Sequence, residues 1–176
     1  MISMQRTIRI EKVLHHPQER VWKALTDSSL LGSWLMENDF EPTLHRPFTF
    51  RMKPQRGWDG LTHCEVIELE APRRVAFTYR GEASGEKTLS CATAVGLASE
   101  AMESTLRKPA KGIFTRLDTV LRLTLEAERS CDGSEKTRLL LEHEGFKGLQ
   151  LVLVSFVMGM GWKQRVLPRL EKVLHG

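Results

Sequence analysis

Apolar and polar residues alternate through most of this chain. In residues 7–14 (TIRIEKVL), Ile8, Ile10 and Leu14 share one parity, the signature of a half-buried strand. Residues 47–53 (PFTFRMK) place Phe48, Phe50 and Met52 on one face. Residues 61–70 form a longer strand. Ala71-Pro72 then connects it tightly to 74–80, where Val75, Phe77 and Tyr79 share a face. The alternation returns at 119–128 with Leu121, Leu123 and Leu125, turns at Cys131-Asp132-Gly133-Ser134, and comes back at 136–144. Gly57 and Gly60 frame a turn that holds Trp58. Short turns between alternating runs predict an antiparallel sheet.

Three segments change period. Pro17 sits where a first helical turn begins, and Val21, Trp22 and Leu25 follow at helical spacing. Asp27, Ser28 and Ser29 break and recap the chain before a second short helix over about 29–36, with Leu30, Leu31, Trp34 and Leu35. A long helix is predicted over roughly 148–174, where Leu151, Val154, Met158, Trp162, Val166, Leu170 and Val173 make one stripe. Its first half is apolar on nearly every side and should touch more than one surface. Pro168 inside it should kink or break it. Residues 83–117 fit no strand pattern; Ala92, Val95, Ala98, Met102 and Leu106 share a possible helical face, which Gly96 weakens. This stretch reads as a lid or a dimer-contact arm, or else as a surface excursion. The fold class is therefore α+β: strand, two short helices, a strand meander and one long C-terminal helix. A sheet with one apolar face needs a cover, and the long helix supplies it. A strongly bent sheet gripping one helix leaves room for a cavity between them.

The order and the residues together resemble the helix-grip (START-like, Bet v-like, or SRPBCC) superfamily, and within it the AHSA type named for activators of the heat-shock-protein-90 ATPase. The carrying segments are PQERVWKALTD at 17–27, LLGSWLMENDFEP at 30–42, FTFR at 48–51, GWDG at 57–60, CEVIELEAPRRVAFTYRG at 64–81, TRLLLEHEGF at 137–146 and GW at 161–162. They cover most of the chain outside 83–117. The resemblance implies a curved antiparallel sheet wrapped around the C-terminal helix in a single domain spanning 1–176. Members of this kind need only a short turn where this chain has 83–117, so that stretch reads as an insertion. The chaperone activators also carry a separate N-terminal domain that these residues do not include. Kinship in fold therefore implies the architecture, not that activity.

Length and composition narrow the classes. A chain of 176 residues suits one domain with its own core, and 41% apolar with 27% charged residues is ordinary for a globular protein. No apolar run approaches the ~20 residues needed to span a bilayer, so membrane insertion is not expected. The first twenty residues contain no apolar signal-like run. Cys64, Cys91 and Cys131 lie far apart, which reads as free thiols in a reducing compartment, and the protein is placed in the cytoplasm. The net charge of +4 equals that of 145–176 alone, where Lys147, Lys163, Arg165, Arg169 and Lys172 face only Glu171. No basic stretch interleaves aromatics, so nucleic-acid binding is not expected.

Candidate chemistry is sparse. Gly81-Glu82-Ala83-Ser84-Gly85 misses the nucleophile motif by one position, Gly159-Met160-Gly161 lacks a third glycine, and no phosphate-cradling or zinc-protease motif occurs. No catalytic residue and no cofactor is assigned. His15 and His16 adjoin at a strand end and diverge, so no metal site is read from the histidines. His63 and Glu65 share a strand face and are polar cavity candidates, or a surface pair. Glu142, His143 and Glu144 end a strand and read as a solvated rim. Trp22 and Trp34 read as core, and Trp58 as a cavity mouth or a cap on the sheet. Phe50, Phe77 and Tyr79, with Met158 and Trp162 on the helix, line a candidate pocket in which Tyr79 is the polar handle. The alternative is a filled core.

Three functions follow. The leading one is non-catalytic binding of a small hydrophobic or amphipathic ligand between sheet and C-terminal helix. A protein-interaction module resembling the chaperone activators, with a possible homodimer, is the second. A cyclase- or dehydratase-type enzyme is the third and needs a buried titratable pair.

Overall fold

A computed structural model describes residues 4–53, 58–83 and 116–176. The strands are β1 (Gln5–Leu14), β2 (Glu37–Asn38), β3 (Pro47–Arg51), β4 (Trp58–Glu70), β5 (Arg74–Ala83), β6 (Arg116–Arg129) and β7 (Glu135–Lys147). They form one antiparallel sheet in the order β1-β7-β6-β5-β4-β3-β2. The first strand thus pairs with the last. Two short helices, α1 (Gln18–Thr26) and α2 (Ser28–Trp34), follow β1, and the chain ends in a long helix. This is the α+β helix-grip fold.

The sequence-predicted strands are all present. β6 is the clearest case: Leu117, Thr119, Leu121, Leu123 and Leu125 are buried while the residues between them are exposed or half-buried. Its partner β7 returns through a turn in which Gly133 takes a left-handed φ of 81°. The α1–α2 boundary arises as the sequence suggests. The Asp27 carboxylate accepts from the Leu30 N–H at 3.0 Å and caps α2. β2 was not foreseen. It is two residues long and is fixed by Asn38, whose side-chain amide donates to the Ser28 and Met36 carbonyls.

One expectation needs correction and another is resolved. Residues 58–60 are not a turn. Trp58 opens β4 and pairs with Ala83, and Gly60 (φ 86°) sits at the register shift between Trp58 and Thr62. At Pro168, where the sequence predicts a kink or a break, the long helix is distorted but continues. α3 (Leu149–Gly161) passes through one π-helical turn (Trp162–Val166) into α4 (Leu167–His175). Pro168 has no N–H to give the preceding turn, and its ring would crowd the carbonyl four residues back. The widened turn just before it accommodates this, and the Leu167 N–H reaches back to the Trp162 carbonyl.

α3 lies against β1 and β7, and α4 carries α1 and α2. The inner faces of β1, β3, β5, β6 and β7 meet the helix in a single apolar core. The strands flanking the predicted insertion run further than the sequence indicates, with Glu82 opposite Arg116. Residues 84–115, and with them the stripe from Ala92 to Leu106, lie outside the described residues.

Candidate functional site

Five of the six predicted pocket residues converge. Phe50 on β3, Phe77 and Tyr79 on β5, and Met158 and Trp162 on the helix are all fully buried. Phe50 lies 5.8 Å from Phe77 and 6.0 Å from Tyr79, ring centre to ring centre. Phe48 joins them from the same face of β3. The side chain of Trp58, the sixth, lies outside the described part of the molecule.

His63 and Glu65 face the other way. On β4 the buried parity is Thr62, Cys64 and Val66. His63 is exposed, and the Glu65 carboxylate lies 3.5 Å from His45 on the outer surface. Both faces of this strand are partly apolar, so periodicity alone could not decide which faced in. The register with β3, which sets Phe48 opposite Cys64 and Phe50 opposite Thr62, does decide it.

The interior holds instead a residue read from sequence as rim. His143 on β7 has no solvent exposure. Its parity follows Leu139 and Leu141, and extending that alternation by one step would have found it. Two residues later the alternation shifts, because β7 bulges against β1 between the partners of Arg6 and Ile8. Gly145 makes the bulge, with φ 102°. A Cβ there would stand 3.1 Å from both the Asp118 carbonyl and the Thr119 Cα. Only glycine meets both the conformation and the close approach. The bulge returns Phe146 to the inner face beside His143, and their rings lie 4.8 Å apart.

The hydrogen bonds define the histidine's chemistry. The Thr119 hydroxyl donates its single proton to the Tyr79 carbonyl at 3.1 Å. The His143 Nε2–H therefore donates to Thr119 Oγ at 2.8 Å, which leaves Nδ1 as a lone pair. Burial pushes the His143 pKa down to about 3, so the ring is neutral at ordinary pH. Tyr79 packs 5.4 Å from His143 on one side, and Trp162 6.2 Å on another. Neither His143 Nδ1 nor Trp162 Nε1 has a hydrogen-bond partner among the described residues. Trp34, equally buried, shows the usual arrangement: its indole N–H donates to the Ala24 carbonyl at 2.9 Å. Among the described residues, no three His, Cys, Asp or Glu side chains converge as a metal site requires.

The outside of the molecule has two notable regions. On the outer face of the sheet Arg122 bonds Glu68 on β4, at 2.8 Å, and Glu144 on β7, at 3.1 Å. Along α3, Leu149, Leu153, Phe156 and Met160 are exposed at spacings of four, three and four. Arg6 lies over the Phe156 ring at 3.6 Å.

A family model described as "Activator of Hsp90 ATPase homolog 1-like protein" matches residues 15–175. The chain belongs to this family. Protein MLL2253 from Mesorhizobium loti shares its fold at TM-score 0.67 and 26% identity, over 97% of each chain. Protein BH1534 from Bacillus halodurans aligns over 99% of both chains at TM-score 0.62 and 18% identity. DynU16, from the dynemicin biosynthetic locus, aligns with 96% of this chain and 47% of its own, at TM-score 0.55 and 15% identity. No curated protein matches the sequence. Membership confirms the resemblance drawn from the motifs at 17–81 and 137–162. No helix among the described residues is long and apolar enough to cross a membrane.

Proposed function

We propose that the protein binds a small amphipathic molecule between the sheet and the C-terminal helix, without turning it over. One observation carries this reading. Two polar atoms, His143 Nδ1 and Trp162 Nε1, sit in an interior lined mostly by aromatic and aliphatic side chains, and neither has a partner among the described residues. A core built only for stability pairs such groups or replaces them with apolar ones. Binding sites of this kind combine an apolar lining with a few polar groups that orient the ligand. The buried acid–base pair that an enzyme would need is not His63 with Glu65, since both lie on the outer face.

The test is native mass spectrometry of gently purified protein, followed by denaturation and extraction. A reproducible extra mass released on unfolding is expected. A bare protein mass, with no uptake from a panel of lipids and small aromatic compounds, would overturn the reading.

The α3 stripe favours a second reading, a protein contact. Four large apolar side chains aligned along one helix face are the pattern by which helices dock on partners. Concentration-dependent sedimentation that Leu153→Glu abolishes would support its homodimer form. A monomer at all concentrations would remove that form.

A further inference from the structure

We propose that Trp162 Nε1–H and His143 Nδ1 together form a subsite for one hydroxyl group, an alcohol or a phenol, on an otherwise apolar ligand. This rests on the ligand-binding reading above and adds the chemical class. The two atoms are complementary. The indole N–H can only donate, and Nδ1 can only accept because the Nε2 proton is committed to Thr119. A hydroxyl answers both with a single oxygen, accepting from Trp162 and donating to His143. A carboxylate does not, since it would bring a second lone pair and a full charge against Nδ1 in a dry interior. An ammonium group fails at the indole N–H, having no lone pair to offer it.

The backbone supports the assignment independently. The bulge at Gly145 seats Phe146 against His143, and the π-helical turn begins at Trp162. Each is the main irregularity of its element beside the interior. Bulges and π-turns of this kind re-aim side chains and cluster where function requires it. Here one lies on the sheet and one on the helix, flanking the His143 and Trp162 rings, which are 6.2 Å apart.

The experiment compares para-propylphenol with propylbenzene, and para-octylphenol with octylbenzene, on the full chain. Titration calorimetry gives affinities, and nitrogen-15 spectra follow the Trp162 indole signal, assigned with Trp162→Phe, and the His143 ring nitrogens. Each phenol is expected to bind about tenfold tighter than its hydrocarbon, the net gain of two buried hydrogen bonds over the loss of the hydroxyl's water. The indole proton should move downfield and His143 Nδ1 should show the shift of a hydrogen-bond acceptor. Trp162→Phe should narrow the gap between phenol and hydrocarbon and leave the hydrocarbon unchanged. The wild-type nitrogen shifts stand alone if that variant fails to fold. Equal affinity for phenol and hydrocarbon would overturn the hydroxyl subsite and leave ligand binding intact. Absence of binding by all four compounds would overturn both.

Discussion

The two faces of strands β6 and β7 treat polar groups in opposite ways. Outside, Arg122 reaches across β5 above Ala76, its register partner, and uses all three guanidinium nitrogens on Glu68 and Glu144. Water could have satisfied much of that charge, yet the protein pairs it. The Glu68 carboxyl is held below the usual range by the Arg122 bonds, and the guanidinium is raised in turn. Inside, where water cannot easily help, His143 and Trp162 each keep one polar atom without a partner among the described residues. Leaving a buried donor or acceptor unpaired costs ~1–3 kcal/mol. Leucine or phenylalanine at either place would avoid that cost. The outer face is arranged for stability, whereas the inner face gives some up, and positions that give up stability are where binding chemistry is found.

The sharpest way to break the comparison is at Gly145, where β7 bulges beside the inner face. Gly145→Ala should destabilise the protein by roughly 2–4 kcal/mol, from strain at positive φ together with tight contacts to the Asp118 and Thr119 backbone. Urea unfolding measures it. An unchanged midpoint would mean that the bulge relaxes freely and does not hold Phe146 against His143.

His143 itself comes next. Its folded pKa of about 3 lies below the ordinary histidine value, so the unfolded chain binds the extra proton first on acidification. The stability contribution is complete above the unfolded pKa and is lost as pH falls toward the folded one. Between neutral pH and about pH 4.5 this group should account for roughly 2–3 kcal/mol of lost stability. His143→Phe keeps a ring in place and should remove that part of the acid dependence. Parallel acid-limb unfolding curves for the two proteins would refute it.

How much of this was legible beforehand follows from the same contrast. Strand parity exposed Phe50, Phe77 and Tyr79, and helix period exposed Met158 and Trp162, because each of those signals needs only local periodicity. His63 and Glu65 failed on a strand whose two faces are both partly apolar, where register with β3 decides and no local pattern can. His143 was missed for a different reason. A histidine between two glutamates looks like a surface, and only the run of buried leucines before it says otherwise. The bulge at Gly145 and the π-turn at Trp162 arise from close approach and from Pro168 acting at a distance, so sequence gives the residue without its consequence.

On the outer face the expected effect is smaller. Arg122→Leu should cost about 1 kcal/mol, since its partners keep partial access to water. The sign with pH is informative. Glu68 is depressed in the folded state, so its contribution is present above the ordinary glutamate range and disappears as pH falls. Arg122→Leu should therefore flatten the acid limb modestly and weaken its salt dependence. A loss as large as that at Gly145 would mean that the outer network holds the sheet's shape, and the contrast between the faces would collapse.

The smallest effect on stability is expected on the helix. α4 is packed by α1 and α2 and tied by the Glu171–Lys12 ion pair, while α3 presents Leu149, Leu153, Phe156 and Met160 outward. Leu153→Glu should change unfolding free energy by no more than about 0.5 kcal/mol, as surface substitutions generally do. Its effect belongs to association. Two copies pairing antiparallel along the stripe would bring Lys147 of one protomer toward Lys163 of its partner, because these lysines flank the stripe at either end. Self-association would then strengthen as salt screens the like charges. An acidic partner on the same stripe would weaken with salt instead. Sedimentation velocity at low and high ionic strength, on wild type and Leu153→Glu, separates the two, and a large stability loss in the variant would show that α3's outer face belongs to the core after all.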